Sequence, residues 1–137
     1  MTIRVTELDH IVLRVRNLDE SLSFYEALLG LEVVGREEYS SGARPFLSVR
    51  VGTQLIDLWP DATYDPELGS RAGGLFHLCV RVAGSLDAAL TVMRGAGIEF
   101  LEESPAVRFG ATGYGRSTYV RDPDGYIVEL KEDEASQ

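Results

Sequence analysis

An internal repeat is the feature that most constrains the fold of this 137-residue chain. The segment 8–15 aligns with 75–82, so that His10 corresponds to His77 at an offset of 67 residues. Leucine, arginine and valine also recur at matching places, and the same offset places Gly30 over Gly97. Such repetition indicates one structural unit that is used twice.

Each copy of the repeat has the pattern of a strand, a helix and three further strands. The first strands contain His10 and His77, and each helix ends where a glycine can adopt a positive φ. Asn17 or Asp19 is suited to cap the first helix, and Ser85 or Asp87 the second. The remaining strands are predicted at 32–35, 46–51 and 54–59 in the first copy and at 99–102, 116–121 and 126–131 in the second.

Length and composition favour a single domain. The chain is 45% hydrophobic, enough for a core, and its length suits one domain. Module 1 covers about residues 7–60, a connection spans 60–74, module 2 covers about 75–131, and an acidic tail follows at 132–137. The acidic run that begins at Lys131 is expected to be solvated. Because each module has only one small helix over a short sheet, we expect the two modules to share a core.

Charge and cysteine content exclude several classes of function. The net charge is −9, so a nucleic-acid backbone would be repelled. No apolar run approaches the roughly 20 residues that cross a bilayer, and the start does not resemble a signal peptide. Cys79 is the only cysteine and cannot form an intrachain disulfide. We therefore expect a cytoplasmic protein that binds neither nucleic acid nor membrane.

Strand alternation places both histidines on the same kind of face. Side chains along a strand alternate between faces, and the all-aliphatic face is the one that helices should cover. In the first strand this leaves His10, Val12 and Arg14 on the opposite face. The corresponding set in the second copy is His77, Cys79 and Arg81.

Two carboxylates occupy related places on the last strand of each copy. Asp57 and Glu129 are each flanked by aliphatic residues, which is unusual for a charge unless that face meets a partner. Two imidazoles and one carboxylate form a facial triad for Fe(II), and a second carboxylate would suit Zn, Ni or Mn. The alternative is that each histidine is a hydrogen-bonded structural residue, but His10 and His77 are the only histidines in the chain and share one place in the repeat.

The chain resembles the vicinal oxygen chelate superfamily over about residues 7–131. The resemblance rests on the repeat, the His-Ile-Val-Leu-Arg-Val opening, Phe24-Tyr25 before Leu29-Gly30-Leu31, and the segment from Asp122 to Leu130. The superfamily includes glyoxalase I, extradiol dioxygenases, fosfomycin-resistance enzymes, methylmalonyl-CoA epimerase and bleomycin-binding proteins. It implies an α+β fold in which two βαβββ modules, related by a pseudo-twofold axis, form an open, cupped β-sheet barrel with helices outside.

The resemblance also implies a ligand set for one divalent metal ion, which could be Fe, Ni, Zn or Mn. The ligands fall on His10, His77 and Glu129, and Asp57 stands where glyoxalase I has a glutamate. Arg14 matches an arginine that helps hold the glutathione carboxylate in bacterial glyoxalase I. Asp61 stands in place of an asparagine that grips glutathione, and an acid there would repel the carboxylates of the tripeptide.

The segment 105–119 resembles a subgroup labelled dioxygenase-like or lactoylglutathione-lyase-like. Three glycines in six residues indicate a mobile loop, whose Arg108, Tyr114 and Arg116 could clamp an anionic or aromatic substrate. The alternative is an ordinary hairpin with solvated arginines. Tyr119 is expected to fill the cavity as a substrate-binding residue, and Trp59 either forms a cavity wall or packs in the core.

Together these features predict a metal-dependent enzyme whose small substrate chelates the metal through neighbouring oxygens. A glyoxalase-like lyase or isomerase is favoured, with Glu129 and Asp57 as catalytic carboxylates. The alternatives are an extradiol-type Fe(II) dioxygenase and a metal-free drug-binding protein of the bleomycin type. A thiol transferase of the fosfomycin type lacks its basic phosphonate cradle here. The resemblance further implies a homodimer.

Overall fold

The computed structural model describes residues 4–67 and 74–132, and the chain divides into two compact units, Met1–Tyr64 and Asp65–Gln137. Each unit contains one four-stranded mixed sheet with its helices. The α+β class and the assignment of one βαβββ module to each copy of the repeat are therefore confirmed. Gly69 and Gly73 of the predicted connection, and residues 133–137 of the predicted tail, lie outside the described residues.

The first module contains four strands: β1 (His10–Val15), β2 (Glu32–Val34), β3 (Leu47–Val51) and β4 (Gln54–Pro60). Their order in the sheet is β1-β4-β3-β2, with β1 parallel to β4 and the other neighbours antiparallel. Alternation along β1 is as predicted, because Leu13 and Val15 are buried whereas Val12 is half exposed. The aliphatic face therefore forms the core of the module, and the histidine face is left for other contacts.

The helix of the first module begins at the predicted cap. The Asn17 side chain accepts a hydrogen bond from the backbone N–H of Glu20 at 3.1 Å, and α1 (Leu18–Leu22) follows. The helix then widens into a π-helical stretch, Ser23–Leu28, and Gly30 has the predicted positive φ of 72°. A second short helix, α2 (Arg36–Ser40), was not predicted because its sequence is mostly polar and lacks apolar periodicity.

The second module repeats this topology. Its elements are β5 (Leu78–Val82), α3 (Leu86–Gly95), β6 (Ala106–Gly110), β7 (Gly113–Arg121) and β8 (Ile127–Glu132). The sheet order is β5-β8-β7-β6, with β5 parallel to β8. The first strand of each module thus lies beside the last strand of the same module, and the carboxylate-bearing strand is central in both sheets.

The outer strand of the second module lies later in the sequence than predicted. The prediction of a strand at 99–102 is wrong, since only an isolated bridge joins Phe100 to Val120 there. The edge strand is β6, within the segment that was predicted to be a mobile loop, and it pairs with β7 as a hairpin in which Phe109 faces Tyr114. Gly113, at φ 119°, allows the tight turn, so the glycines serve hairpin geometry.

The start of the predicted solvated tail is instead part of the sheet. Lys131 and Glu132 belong to β8 and are 2% and 7% exposed. The Glu132 carboxylate accepts a hydrogen bond from the backbone N–H of Leu86 at 3.3 Å, and it pairs with Arg116. Glu132 therefore caps α3 from outside the helix, whereas Ser85, the predicted cap, makes no capping hydrogen bond through its side chain.

Of the helices in the described parts of the chain, none combines the length and apolarity that a membrane span requires.

Candidate metal centre

Each module brings one histidine and one carboxylate together on the sheet face away from its aliphatic core. In the first module, His10 opens β1 and Asp57 lies on β4 opposite Val12, and the His10 Nε2 is 3.7 Å from the Asp57 Oδ2. In the second, His77 immediately precedes β5 and Glu129 lies on β8 opposite Cys79. There the His77 Nε2 is 3.2 Å from the Glu129 Oε1.

The two pairs are built in the same way. In each module the histidine stands two residues before the position that faces the carboxylate across the parallel pairing, so the two side chains share a face. Asp57 and Glu129 are only 7% and 5% exposed. A carboxylate that is buried to this extent needs a proton, a cation or hydrogen-bond donors as a partner.

The donor set fits a divalent ion. Two ligands bound to one ion at metal–ligand distances of about 2.1 Å and ordinary coordination angles lie about 3.0 to 3.4 Å apart. The 3.2 Å separation in the second module falls within that range, and the 3.7 Å separation in the first is slightly longer. Within the described residues no three His, Cys, Asp or Glu side chains are grouped closely enough to hold an ion, and each module by itself offers two donors.

The His10 ring is oriented by the residue before it. The His10 Nδ1 lies 2.6 Å from the Asp9 Oδ1, which leaves Nε2 directed toward Asp57. The hydrogen bond to Asp9 raises the pKa of His10, and the charge of Asp57 raises it further. A carboxylate on the second ring nitrogen is the usual outer partner of a metal-binding histidine.

His77 is oriented by packing against aromatic rings. Its ring meets the Tyr119 ring edge to face at 5.3 Å and the Phe76 ring at 5.4 Å. The His77 Nδ1 is buried and has no hydrogen-bond partner among the described residues. Packing therefore directs the Nε2 of His77 toward Glu129.

Asp57 is held by a polar chain that sequence reasoning missed. The Ser48 hydroxyl donates to the Asp57 Oδ1 at 2.6 Å and accepts from the Arg44 Nη2, also at 2.6 Å. Arg44 also donates to the carbonyls of Val34 and Phe46. The register between β3 and β4, which pairs Ser48 with Asp57, could have revealed the serine, but Arg44 reaches the site from a loop.

Glu129 has two titratable neighbours on adjacent strands, Tyr119 on β7 and Cys79 on β5. Burial raises the pKa of Tyr119, and the charge of Glu129 raises it further. Partial burial and, second, the charge of Glu129 raise the pKa of Cys79 to about 11. Both groups are therefore protonated at neutral pH and can donate a hydrogen bond.

The predicted substrate-binding residues are divided between two faces. Arg108 and Tyr119 lie on the Glu129 face, where the Arg108 guanidinium stacks 4.5 Å from the Tyr119 ring centre and pairs with Glu102 at 2.7 Å. Tyr114 and Arg116 lie on the opposite face of the same sheet, since they alternate with Tyr119 along β7.

Arg116 and Arg14 each have acidic partners. Arg116 pairs with Glu132 and Asp87, both at 3.2 Å. In the first module, the Arg14 Nη1 lies 3.2 Å from the Asp61 Oδ2 on the His10 face. The residue that replaces the asparagine of glyoxalase I therefore contacts the predicted carboxylate-binding arginine.

Trp59 forms an aromatic wall beside Asp57. It lies two residues further along β4 on the same face, is 41% exposed and stacks on Phe46 at 5.1 Å and 17°. The Arg44 guanidinium lies 4.4 Å from the centre of the Phe46 ring. Trp59 was predicted either to form a cavity wall or to pack in the core, and its exposure agrees with the first of these two roles.

These modules, each with a histidine–carboxylate pair on one face of its sheet, define a protein of the class built from repeated βαβββ units. A family model described as Glyoxalase/Bleomycin resistance protein/Dioxygenase superfamily matches residues 7–130, so the chain belongs to this superfamily. The resemblance inferred from the sequence motifs is thereby confirmed.

Individual relatives agree with this assignment. A lactoylglutathione lyase of Neisseria meningitidis is 33% identical over 128 residues, covering 88% of this chain and 86% of that protein. Virulence protein STM3117 of Salmonella typhimurium is 29% identical over 129 residues, covering 93% and 85%. The crystal structure of a glyoxalase/dioxygenase from Nostoc punctiforme is similar in fold, with a TM-score of 0.76 at 23% identity over 97% of this chain and 98% of that one.

Proposed function

We propose that this protein is a metal-dependent enzyme that acts on a small substrate whose neighbouring oxygens chelate the metal, most simply as a glyoxalase-like lyase or isomerase. The observation that supports this proposal is the repeated histidine–carboxylate pair. The same two donor types face each other at 3.7 Å in one module and 3.2 Å in the other. Relatives named lactoylglutathione lyase at 30% to 33% identity agree with it.

His10, His77 and Glu129 would hold the ion, with Asp57 as a fourth ligand. A bound divalent ion would act as a Lewis acid and stabilise negative charge that develops on a substrate oxygen. Asp57 is suited to a fixed role, because Ser48 binds one of its oxygens and leaves the other directed toward His10.

Glu129 is suited to move a proton. It has one more methylene than Asp57, so its carboxylate can shift without movement of β8. Its neighbours Tyr119 and Cys79 remain protonated at neutral pH and can donate to whichever oxygen is not engaged. A carboxylate in this position can take a proton from a carbon beside a carbonyl and return it to the neighbouring carbon.

The substrate differs from a glutathione adduct in this proposal. Asp61 pairs with Arg14 at 3.2 Å, and its two hydrogen bonds from Thr63 lower the pKa of the Asp61 carboxyl, so it stays ionised. An ionised carboxylate at that place repels the carboxylates of glutathione. We expect a smaller substrate, and lower activity on the glutathione hemithioacetal than on a small chelating acid or ketone.

Metal content is the first test. Tag-free wild-type protein should contain about one divalent ion per chain by mass spectrometry, whereas His10→Ala and His77→Ala should each contain little or none. Arg50→Ala, a surface substitution, is the matched control and should keep the ion. If wild-type protein takes up no ion even after reconstitution, the proposal is wrong, and metal-free drug binding becomes the hypothesis to test.

The identity of the ion selects the assay. Nickel, zinc or manganese directs the search to hemithioacetals and epimerisable acids, whereas iron directs it to catechols under oxygen and favours the dioxygenase alternative. Glu129→Gln should lower kcat by about 10²- to 10⁴-fold, the range of a lost general base. Light scattering on the same samples tests the expected homodimer.

A further inference from the structure

The only lysine in the chain lies on the face that holds Glu129. Among the 13 basic residues, Lys131 stands alone beside 12 arginines. It follows Glu129 by two residues on β8, so the two side chains point to the same side of the sheet. Lys131 is only 2% exposed.

Within residues 4–67 and 74–132, the ammonium group has no hydrogen-bond partner. The Lys131 Nζ is buried and makes no hydrogen bond with any residue in the described parts of the chain. The neighbouring positions across the sheet are Arg81 on β5 and Ser117 on β7, neither of which brings a negative charge.

The lysine stem runs beneath a glycine of the β6–β7 hairpin. A Cβ atom on Gly110 would lie 2.6 Å from the Lys131 Cε and 2.9 Å from its Cδ, which is closer than real side chains approach. The absence of a side chain at Gly110 therefore leaves the space through which the lysine extends.

Burying an ammonium group without a partner destabilises the folded protein. Removing a charged group from water without a compensating partner costs several kcal/mol. The next residue shows the ordinary solution, since Glu132 is buried to a similar extent but pairs with Arg116 at 3.2 Å. Lys131 is buried without such an ion pair, and an anion bound from solution would supply the missing negative charge.

We propose that Lys131 is the centre of an anion-binding subsite that takes the carboxylate or phosphate group of a small molecule. The stem of Lys131 extends from β8 toward Gly110 on β6, so the ammonium lies on the β6–β7 hairpin side of the sheet. The protein has a net charge of −9, so a buried positive charge without a hydrogen-bond partner among the described residues distinguishes this region from most of the molecule.

The position of the subsite also limits the substrate. Residues two apart on a strand have Cα atoms about 6.6 Å apart, so the side chains of Lys131 and Glu129 begin at neighbouring positions on one face of the sheet. Its use by the substrate rests on the proposed function, and it then selects a short oxo or hydroxy acid, or its phosphate analogue. Binding of the anion itself requires no metal.

The single lysine makes the test direct. Protein labelled with [¹⁵N]lysine and stripped of metal has one lysine side-chain signal, which is recorded while sodium acetate or inorganic phosphate is added at constant ionic strength. We expect a saturable shift of this signal with one or both anions and no shift with sodium chloride. A signal that stays unchanged, or that moves linearly without saturation for both anions, overturns the proposal.

Three variants locate the binding. Lys131→Met should abolish binding of the same anions by calorimetry, and Gly110→Ala should weaken it at least several-fold because the new methyl group displaces the lysine stem. Arg50→Met removes one positive charge from the other module and should leave the affinity unchanged. Equal weakening by Lys131→Met and Arg50→Met would indicate a general charge effect and would contradict a site at Lys131.

The outcome is independent of metal loading. Anion binding to the metal-free protein together with absence of metal uptake would refute the proposed function and leave the subsite. Metal uptake without anion binding would refute the subsite and leave the proposed function. Where both succeed, Lys131→Met should raise KM for an anionic substrate by tenfold or more while affecting kcat less.

Discussion

Two fully buried serines of the first module differ in their hydrogen bonds. Ser48 links Arg44 to Asp57 through two contacts of 2.6 Å, whereas the Ser21 hydroxyl has no hydrogen-bond partner among the described residues. Ser48→Ala should lower the free energy of unfolding by about 1 to 3 kcal/mol, because a buried carboxylate loses its donor. Ser21→Ala should change it by less than about 0.5 kcal/mol.

Urea unfolding of these two variants and the wild-type protein measures the difference. Equal midpoints for the two variants would mean that the hydrogen bonds linking Arg44, Ser48 and Asp57 contribute nothing to the stability of the folded protein. Since both serines are fully buried, loss of packing is similar in the two cases and the comparison isolates the hydrogen bonds.

Lys131 should lower stability while it serves binding. Lys131→Met keeps most of the stem and removes the unpartnered ammonium, so we expect the free energy of unfolding to rise by about 1 to 3 kcal/mol. Thermal and urea unfolding in a buffer without carboxylate or phosphate would show it. A loss of stability instead would mean that the ammonium is satisfied in the folded protein.

At the scale of elements, helix α3 depends on a residue far away in the sequence. Glu132 accepts the N–H of Leu86 at the helix start, and its hydrogen bonds with Arg116 and, second, with that N–H lower its pKa below the usual 4.5. A carboxyl whose folded pKa is depressed contributes stability above its unfolded pKa, and the contribution is lost as the pH falls through the folded pKa.

Glu132→Gln keeps an oxygen that can accept from the Leu86 N–H but removes the charge that pairs with Arg116. It should therefore cost about 1 to 2 kcal/mol at pH 7, because charge-assisted hydrogen bonds become neutral, and the cost should shrink as the pH falls well below 4. Urea unfolding at a series of pH values would measure this trend. Glu103→Gln, at an exposed position, serves as the control and should show little effect at any pH. A cost that is independent of pH would argue against the ionised cap.

The predictability of the elements follows from how local their signals are. Alternation in β1, the Asn17 cap and the positive φ of Gly30 depend on neighbouring residues and were correctly predicted. Strand β6 was missed because its glycines are equally typical of a flexible loop, and only pairing with β7 selects the hairpin. The capping of α3 by Glu132 was missed because it joins residues 46 positions apart.

The candidate site divides in the same way. The four donors could be found because the repeat places them at corresponding positions on strands. Arg44 and Lys131 could not, since a long side chain can reach a site from a loop or lie flat beneath a hairpin. For Lys131 the sequence even suggested the opposite, because a run of acids after it is typical of a solvated end.

At the scale of the whole molecule, metal binding should depend on both modules. In the proposed site each module supplies a histidine and a carboxylate, so neither half alone can hold the ion tightly. Metal at about 100 times its dissociation constant should stabilise the wild-type protein by about 2.7 kcal/mol. His10→Ala and His77→Ala should each remove this gain.

Thermal unfolding with and without the ion measures the effect for the three proteins. Asp57→Asn distinguishes a three-ligand site from a four-ligand site. With three ligands the variant would keep most of the stabilisation by metal, whereas with four it would lose it. If only the variant of one module loses stabilisation by metal, the ion is held by that module alone and the shared site is wrong.

The parallel pairing of first and last strands has a consequence for how the protein is made. In the first module His10 pairs with Leu55, and in the second Leu78 pairs with Val128, across 45 and 50 positions of the chain. Contacts between such distant positions form slowly, whereas the hairpin of β3 and β4 is local and can form early. On the ribosome the opening strand of each module must wait for its closing strand, and during that interval its aliphatic face is a target for chaperones.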